Sequence, residues 1–284
     1  MSKITITPSE FLIMSKYILE MSGIALSAGK EYLIETRLSQ LMEELKCTSY
    51  TDLHARARRD TTGLLEKRII DAISTNETYF FRDNAPFELI QHKLIPDLID
   101  RRTKNGGGLQ KTGLKIWSSA SSTGQEIYSI AMILKDLGLD NPRYNIKLLA
   151  TDISDAAIAQ ASYGKYNRFE VTRGLSQPRL TKFFNPDGDA YRIKDEIRAM
   201  VTFKKINLMK PFTGMGKFDM ILCRNVAIYF TAHDRRQLFE RIAGALEPDG
   251  VLIIGSTESL TNEITFFQPQ RYLNSTFYTL KPTR

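Results

Sequence analysis

The sequence predicts an α/β protein: a doubly wound parallel sheet with an antiparallel edge strand and an inserted small β lobe, preceded by a small all-α domain. Three observations carry that expectation. From Leu114 onward, short apolar runs alternate with stretches of helical period, the pattern of a parallel sheet covered on both faces. The first 75 residues show only helical stripes,. Between Gly164 and Lys205 the helix–strand rhythm breaks around "NPDGDA", a turn signal between two short segments. The boundaries drawn from this are 1–75 for the helical domain and 76–284 for the sheet domain, with the β lobe at about 164–205.

In order along the chain, "TPSE" offers a capping box, with Thr7 as cap, Pro8 in the first turn and Glu10 reaching back,. That helix ends near Gly23. A second spans roughly Lys30–Lys46 with Ile34, Leu38, Leu41 and Leu45 on one stripe, and "TTGLLEKRIIDAIS" gives another that buries Leu65, Ile69 and Ile73. Asp83 is placed as the cap of a further helix towards Arg102, and "TKNGGGLQKT" (103–112) as a flexible surface loop,. Strands follow at "LKIWSSA", "IKLLATDIS", "FDMILCRN" and "GVLIIGSTES", with helices between them. The tail "RYLNSTFYTLK" alternates without a helix before it and is expected to close the sheet as one antiparallel edge strand,.

Composition narrows the function. The 39 Lys and Arg exceed the 32 Asp and Glu, for a net charge of +7. Residues 1–75 hold ten of each sign, so the excess lies in the remainder. There it is scattered, with no basic stripe interleaved with aromatics, which disfavours nucleic acid. Cys47 and Cys223 form no C-x-x-C pair, and His54, His92 and His233 are dispersed, so no metal is expected. No apolar run approaches the ~18 residues of a membrane span, and no basic-then-apolar leader opens the sequence. A cytoplasmic monomer with reduced cysteines and no membrane insertion is expected.

The loop "WSSASSTGQEIYS" (117–129) joins a strand to a helix, where nucleotides commonly bind. A pyrophosphate needs close backbone approach and hence G-x-G-x-x-G; here Gly124 stands alone. A nucleoside without phosphates fits better, and S-adenosylmethionine is the common one. Glu126 suits a cationic ligand, since a carboxylate attracts a sulfonium and an amino group. Asp152 ends the next strand, where a carboxylate takes both hydroxyls of a ribose; capping the following helix is its equally ready alternative. The third and fourth strands present Asn207, then Arg224 and Asn225. "TNETYFFRD" (75–83) threads Asn76, Thr78 and Arg82 through an aromatic stretch joining the two domains.

Taken together, "STNETYFFRD", "IWSSASSTGQEIYSIAM", "LLATDIS", "INLM" and "FDMILCRNVAIYF" resemble the chemotaxis receptor glutamate O-methyltransferases, the CheR family. The resemblance runs in order from about Ser9 to Tyr278. It implies S-adenosylmethionine as methyl donor, S-adenosylhomocysteine as product, and glutamates of the cytoplasmic helices of methyl-accepting chemoreceptors as substrate. It further implies that Asn76, Thr78 and Arg82 line the cofactor site from the interdomain segment. Glu126 and Asp152 would hold the methionyl and ribose parts, and Asn207, Leu208, Arg224 and Asn225 the adenosine side. Arg82 and Tyr229 match positions next to the methyl group.

Two departures stand out. Gln125 occupies a place where the family often has a second Glu. The second helix, often Arg-rich in the family and thought to meet receptor helices, here reads "TRLSQLMEELK" with Arg37 retained. Family members that grip a receptor's carboxyl-terminal pentapeptide carry a longer, glycine-containing loop in the β lobe. The short "NPDGDA" predicts no such binding. The alternatives weighed are a non-catalytic module that kept the fold, and a small-molecule methyltransferase, which would leave the helical domain unexplained.

Overall fold

A computed structural model describes residues 4–105, 112–260 and 264–282. Helix α1 (Pro8–Ser22) begins at Thr7, and both halves of the capping box form; Gly23, left-handed at φ 79°, ends it,. Helix α2 (Glu31–Glu44) buries Ile34, Leu38, Leu41 and Met42. Helix α3 (Tyr50–Arg59) was not foreseen; Ser49 caps it, and it buries Tyr50, Leu53 and Ala57. Helix α4 (Leu64–Ile73) buries Ile69, Ile70 and Ile73. Glu10 joins two of these helices, because its carboxylate accepts the Thr7 amide and hydroxyl and also the amides of Tyr50 and Thr51. One side chain thus satisfies orphan donors at two helix starts.

Asp83 is not a helix cap. Asp83 and Asn84 both have positive φ, and helix α5 (Ala85–Leu89) starts after them. The Asp83 carboxylate accepts instead from Arg224 and Ser256. A π-type turn (Ile90–Leu94) leads into α6 (Ile95–Asn105). Residues 106–111 of the loop expected at 103–112 lie outside the described residues.

The sheet domain runs β1 (Thr112–Ser119), α7 (Gln125–Asp136), β2 (Tyr144–Asp152) and α8 (Asp155–Tyr163). The small lobe follows as β3 (Lys165–Asn167), α9 (Arg168–Thr172), α10 (Gln177–Phe183), β4 (Phe184–Asp187), β5 (Ala190–Ile193) and α11 (Asp195–Arg198). Its three strands form an antiparallel sheet in the order β3-β5-β4. The chain then gives β6 (Val201–Lys205), β7 (Phe218–Cys223), a 3-10 turn (Ala227–Tyr229), α12 (Ala232–Ala245), β8 (Leu246–Ile254), β9 (Phe267–Tyr272) and β10 (Ser275–Leu280).

The large sheet is ordered β6-β2-β1-β7-β8-β10-β9, parallel through β8 and antiparallel beyond it. Two expectations need correction. The end of the 164–205 stretch, β6, pairs with β2 in the large sheet rather than with the lobe. The tail is not one edge strand: β10 lies inside, between β8 and β9, and β9 is the edge.

Successive side chains on a strand face opposite ways, and the core divides accordingly. Ile116, Met220 and Leu222 join the cluster under α5–α7 and the lobe, while Trp117, Ile221 and Cys223 join the one under α12. The helical domain has its own core around Met14, Ile34, Leu38 and Leu53. In the parallel register Ser119 lies opposite Thr151 and Cys223, and Cys223 opposite Ile254. The carboxyl ends of β1, β2, β7 and β8 therefore finish at one level, the edge where doubly wound sheets hold ligands.

Candidate functional site

The bend after β1 is fixed by bonds rather than by glycines. The Ser121 amide donates to the Thr151 carbonyl and the Ser122 amide to Asp152 Oδ2, both at 2.8 Å. Ala120 and Ser122 take left-handed backbone at φ 53° and 50°, conformations that cost L-residues stability unless neighbours hold them. In this bend, Gly124 is the position where glycine is required. It has φ 94°, and an added Cβ would stand 3.0 Å from Ala161 Cβ and 3.2 Å from the Tyr128 ring. Its role is the close packing of α7 against α8, not a phosphate cradle.

Asp152, almost fully buried, also accepts the Ser154 amide at 3.0 Å. Burial pushes its carboxyl above the ordinary range despite these amide bonds, and the neighbouring Asp71 charge adds to the rise,. It does not cap α8; Ser154 does. Glu126, in the first turn of α7, accepts from Ser118 Oγ and from Arg224 Nη1, each at 2.8 Å. Arg224 is buried, and its other terminal nitrogen donates to the Arg82 carbonyl at 2.8 Å and to Asp83 at 2.9 Å. One guanidinium thus ties β7, α7 and the interdomain strap together. Its neighbour Asn225, left-handed at φ 57°, donates its amide to Glu258 Oε2, which also accepts the Gly255 amide, both at 2.7 Å.

The helical domain supplies a wall. Asn207 Nδ2 donates to the Met21 carbonyl at 2.7 Å, and its Oδ1 accepts the Met209 amide. The Ala25 amide donates to the Tyr229 carbonyl at 2.8 Å. Arg37 from α2 donates to the carbonyls of Ile73 and Ser74 and to the Thr75 hydroxyl, ordering the start of the strap. Between these elements lies a cavity that opens to solvent.

All ten residues singled out from the sequence line it: Asn76, Thr78 and Arg82 from the strap, Glu126 and Asp152, Asn207 and Leu208, and Arg224, Asn225 and Tyr229. They are not equally free. The Asn207 amide and the Arg224 guanidinium are engaged with protein groups. By contrast, among the described residues Arg82 donates only through Nη1, to the Glu77 carbonyl, and the hydroxyl of Tyr229 has no hydrogen-bond partner. Gln125 does not line the cavity; its buried side chain accepts from Thr123.

Sequence reasoning missed Ser22 and Ile24, which close the cavity from the helical domain, and the apolar Ile153 and Ile206. It also missed Glu258, the anchor of Asn225. The acid in "GSTES" after a buried strand was the available signal.

The lining suits a nucleoside carrying a cation. Ile153, Ile206 and Leu208 offer apolar surface, Asp152 an acceptor carboxylate, and Arg82 a donor for an anionic group. Ser121 Oγ is buried with no hydrogen-bond partner among the described residues, and such a group calls for a ligand or water. Among the described residues no cluster of His, Cys, Asp and Glu could hold a metal ion, and no helix is long and apolar enough to cross a membrane.

Fold and cavity together define a methyltransferase-type domain preceded by an all-α domain. The family model described as CheR methyltransferase, SAM binding domain, matches residues 76–273, and CheR methyltransferase, all-alpha domain, matches residues 9–74. The chain belongs to the CheR methyltransferase family. It is 37% identical over 258 residues to chemotaxis protein methyltransferase 1 of Pseudomonas aeruginosa, covering 89% of this chain and 91% of that one. It is 36% identical to the chemotaxis protein methyltransferase of Vibrio parahaemolyticus over 284 residues, 99% of this chain and all of that one. Chemotaxis protein methyltransferase 1 of Vibrio cholerae matches at 35% over the same length and shares.

Proposed function

We propose that the protein transfers the methyl group of S-adenosylmethionine to glutamate side chains on the cytoplasmic helices of chemoreceptors. The products are γ-methyl esters and S-adenosylhomocysteine, and the role is sensory adaptation. The observation that carries this reading is a cavity lined by carboxylates and two arginines with no histidine among its described lining residues. That composition suits a nucleophile needing no general base. A glutamate has a pKa of about 4.3 and is already ionised at neutral pH.

The bound donor supplies an electrophilic methyl group on a sulfonium. An ionised substrate carboxylate would accept that group without the chain having to remove a proton. The chain's work is alignment and exclusion of water. In this reading Asp152 accepts from the ribose hydroxyls, and Ser121 supplies a further polar contact. Glu126 and Asp152 put negative charge near the cation, with Glu126 held in place by Ser118 and Arg224. Asn76 and Thr78 close the strap side, while Leu208, Asn207 and Asn225 flank the adenosine. Arg82 orients the incoming carboxylate through its unengaged donors, and Tyr229 directs its hydroxyl at the transfer site.

The protein acts as a monomer in the cytoplasm, without metal, nucleic acid or a receptor-tail tether. Incubation with labelled S-adenosylmethionine and receptor-containing membranes tests the reading. Base-labile label on receptor is expected; label that is base-stable, or none on protein, overturns it.

A further inference from the structure

The strap carries a second cationic site just outside the cavity. Arg173, the residue ending α9, stacks its guanidinium 4.2 Å from the centre of the Tyr79 ring. Arg82 approaches the same ring at 5.7 Å. Two arginines thus flank one aromatic side chain, a geometry favoured by the ring's negative face. The lobe is pressed hard against the strap here: a Cβ on Gly174 would stand 1.8 Å from the Phe80 carbonyl oxygen. The backbone beside Arg173 is therefore held close to the strap that carries Arg82.

The current partner of Arg173 is a glutamate of the same chain. Arg173 Nη1 lies 2.6 Å from Glu77 Oε1, with the two side chains 39% and 54% exposed. Glu77 itself lines the cavity mouth. An ion pair this exposed contributes little stability and exchanges readily. One turn back along α9, Phe169 stands 70% exposed and Arg168 is exposed beside it. The surface therefore offers two guanidinium groups and an apolar ring next to the opening.

We propose that Arg173 and Tyr79 form a docking site for a second carboxylate of an acidic substrate segment, and that Glu77 is its internal placeholder, displaced when substrate binds. The proposal rests on the reading that the substrate is a glutamate-bearing protein helix. Charge complementarity selects the occupant. A helix with acidic side chains one turn apart would set one carboxylate at Arg82 and the next at Arg173, its apolar face against Phe169.

The test exploits opposite signs. Arg173→Ala removes the site, so KM for receptor-containing membranes is expected to rise roughly two- to fivefold, the scale of one exposed ion pair. Glu77→Gln vacates the site, so KM is expected to fall. A merely structural ion pair would make both variants fail in the same direction, and would weaken S-adenosylhomocysteine binding in both; that result overturns the proposal. Arg173→Lys should restore only part of the loss, since an ammonium lacks the planar stack. A labelled polyglutamate peptide followed by fluorescence anisotropy reads the same site without methyl transfer. Opposite shifts there, combined with no receptor labelling by the unaltered protein, would support the docking site while overturning the substrate reading.

Discussion

Asp152 accepts the amides of Ser122 and Ser154 while lining the cavity, so it shapes the β1 loop and faces the cavity at once. Asp152→Ala is expected to weaken S-adenosylhomocysteine binding by roughly 1.5–3 kcal/mol, the loss of charge-assisted hydrogen bonds. Calorimetry returning an unchanged dissociation constant would remove it from the site. Arg82 differs, because one protein hydrogen bond among the described residues leaves most of its N–H donors unengaged. Arg82→Ala should lower turnover on the order of 10²–10³, as for loss of one electrostatic stabiliser. Near-normal methylation would end the catalytic assignment, and an equal loss in cofactor affinity would make Arg82 a cofactor clamp. At this scale the sequence named the residues but not their bonds. Asp83, Glu126 and Arg224 meet across separations of 98 and 141 residues, and no local pattern encodes which acid an arginine finds.

Among the elements, the α1–α3 pair hangs on Glu10. Burial alone would raise its carboxyl, but the bonds from Thr7, Thr51 and Tyr50 outweigh it, and the net shift is downward. A carboxyl lowered on folding stabilises above its unfolded value, near pH 4.3, and that contribution fades as pH falls through the folded value. Glu10→Gln should therefore reduce stability at neutral pH and flatten its decline into acid. Denaturant titrations at several pH values check this, and parallel pH curves for both proteins would count against it.

The lobe's hairpin turns on Gly188 and Asp189, since Asp187 already pairs with Ala190. So short a turn leaves little backbone for an added strand. No saturable micromolar binding of a five-residue receptor tail is expected on titration, and finding it at the lobe would reverse the reading. Elements with long stripes or runs were legible. Helix α3 was not, because "HARARR" interrupts its stripe with charge. The pairing of β9 and β10 was hidden by "QPQR", polar because β9 is an edge strand.

For the whole molecule, the cavity belongs to both domains. Ser22 and Ile24 line it, and the Met21–Asn207 and Ala25–Tyr229 bonds seal the seam. A ligand at 100 times its dissociation constant adds about 2.7 kcal/mol to whatever must be folded to bind it. Saturating S-adenosylhomocysteine should therefore slow amide hydrogen exchange in the last turn of α1 as well as in the β1 loop. Protection confined to the sheet domain would show that the wall does not take part in binding.

The Glu258 contact has a consequence for biosynthesis. The first wall residue of the cavity is made at position 22, yet Asn225 is held only once Glu258 has been added. The Asn225 side of the cavity thus takes its bonded form only after residue 258 has been made, although the helical domain can pack its core long before,. A chain ending before Glu258 lacks the carboxylate that accepts the Asn225 and Gly255 amides.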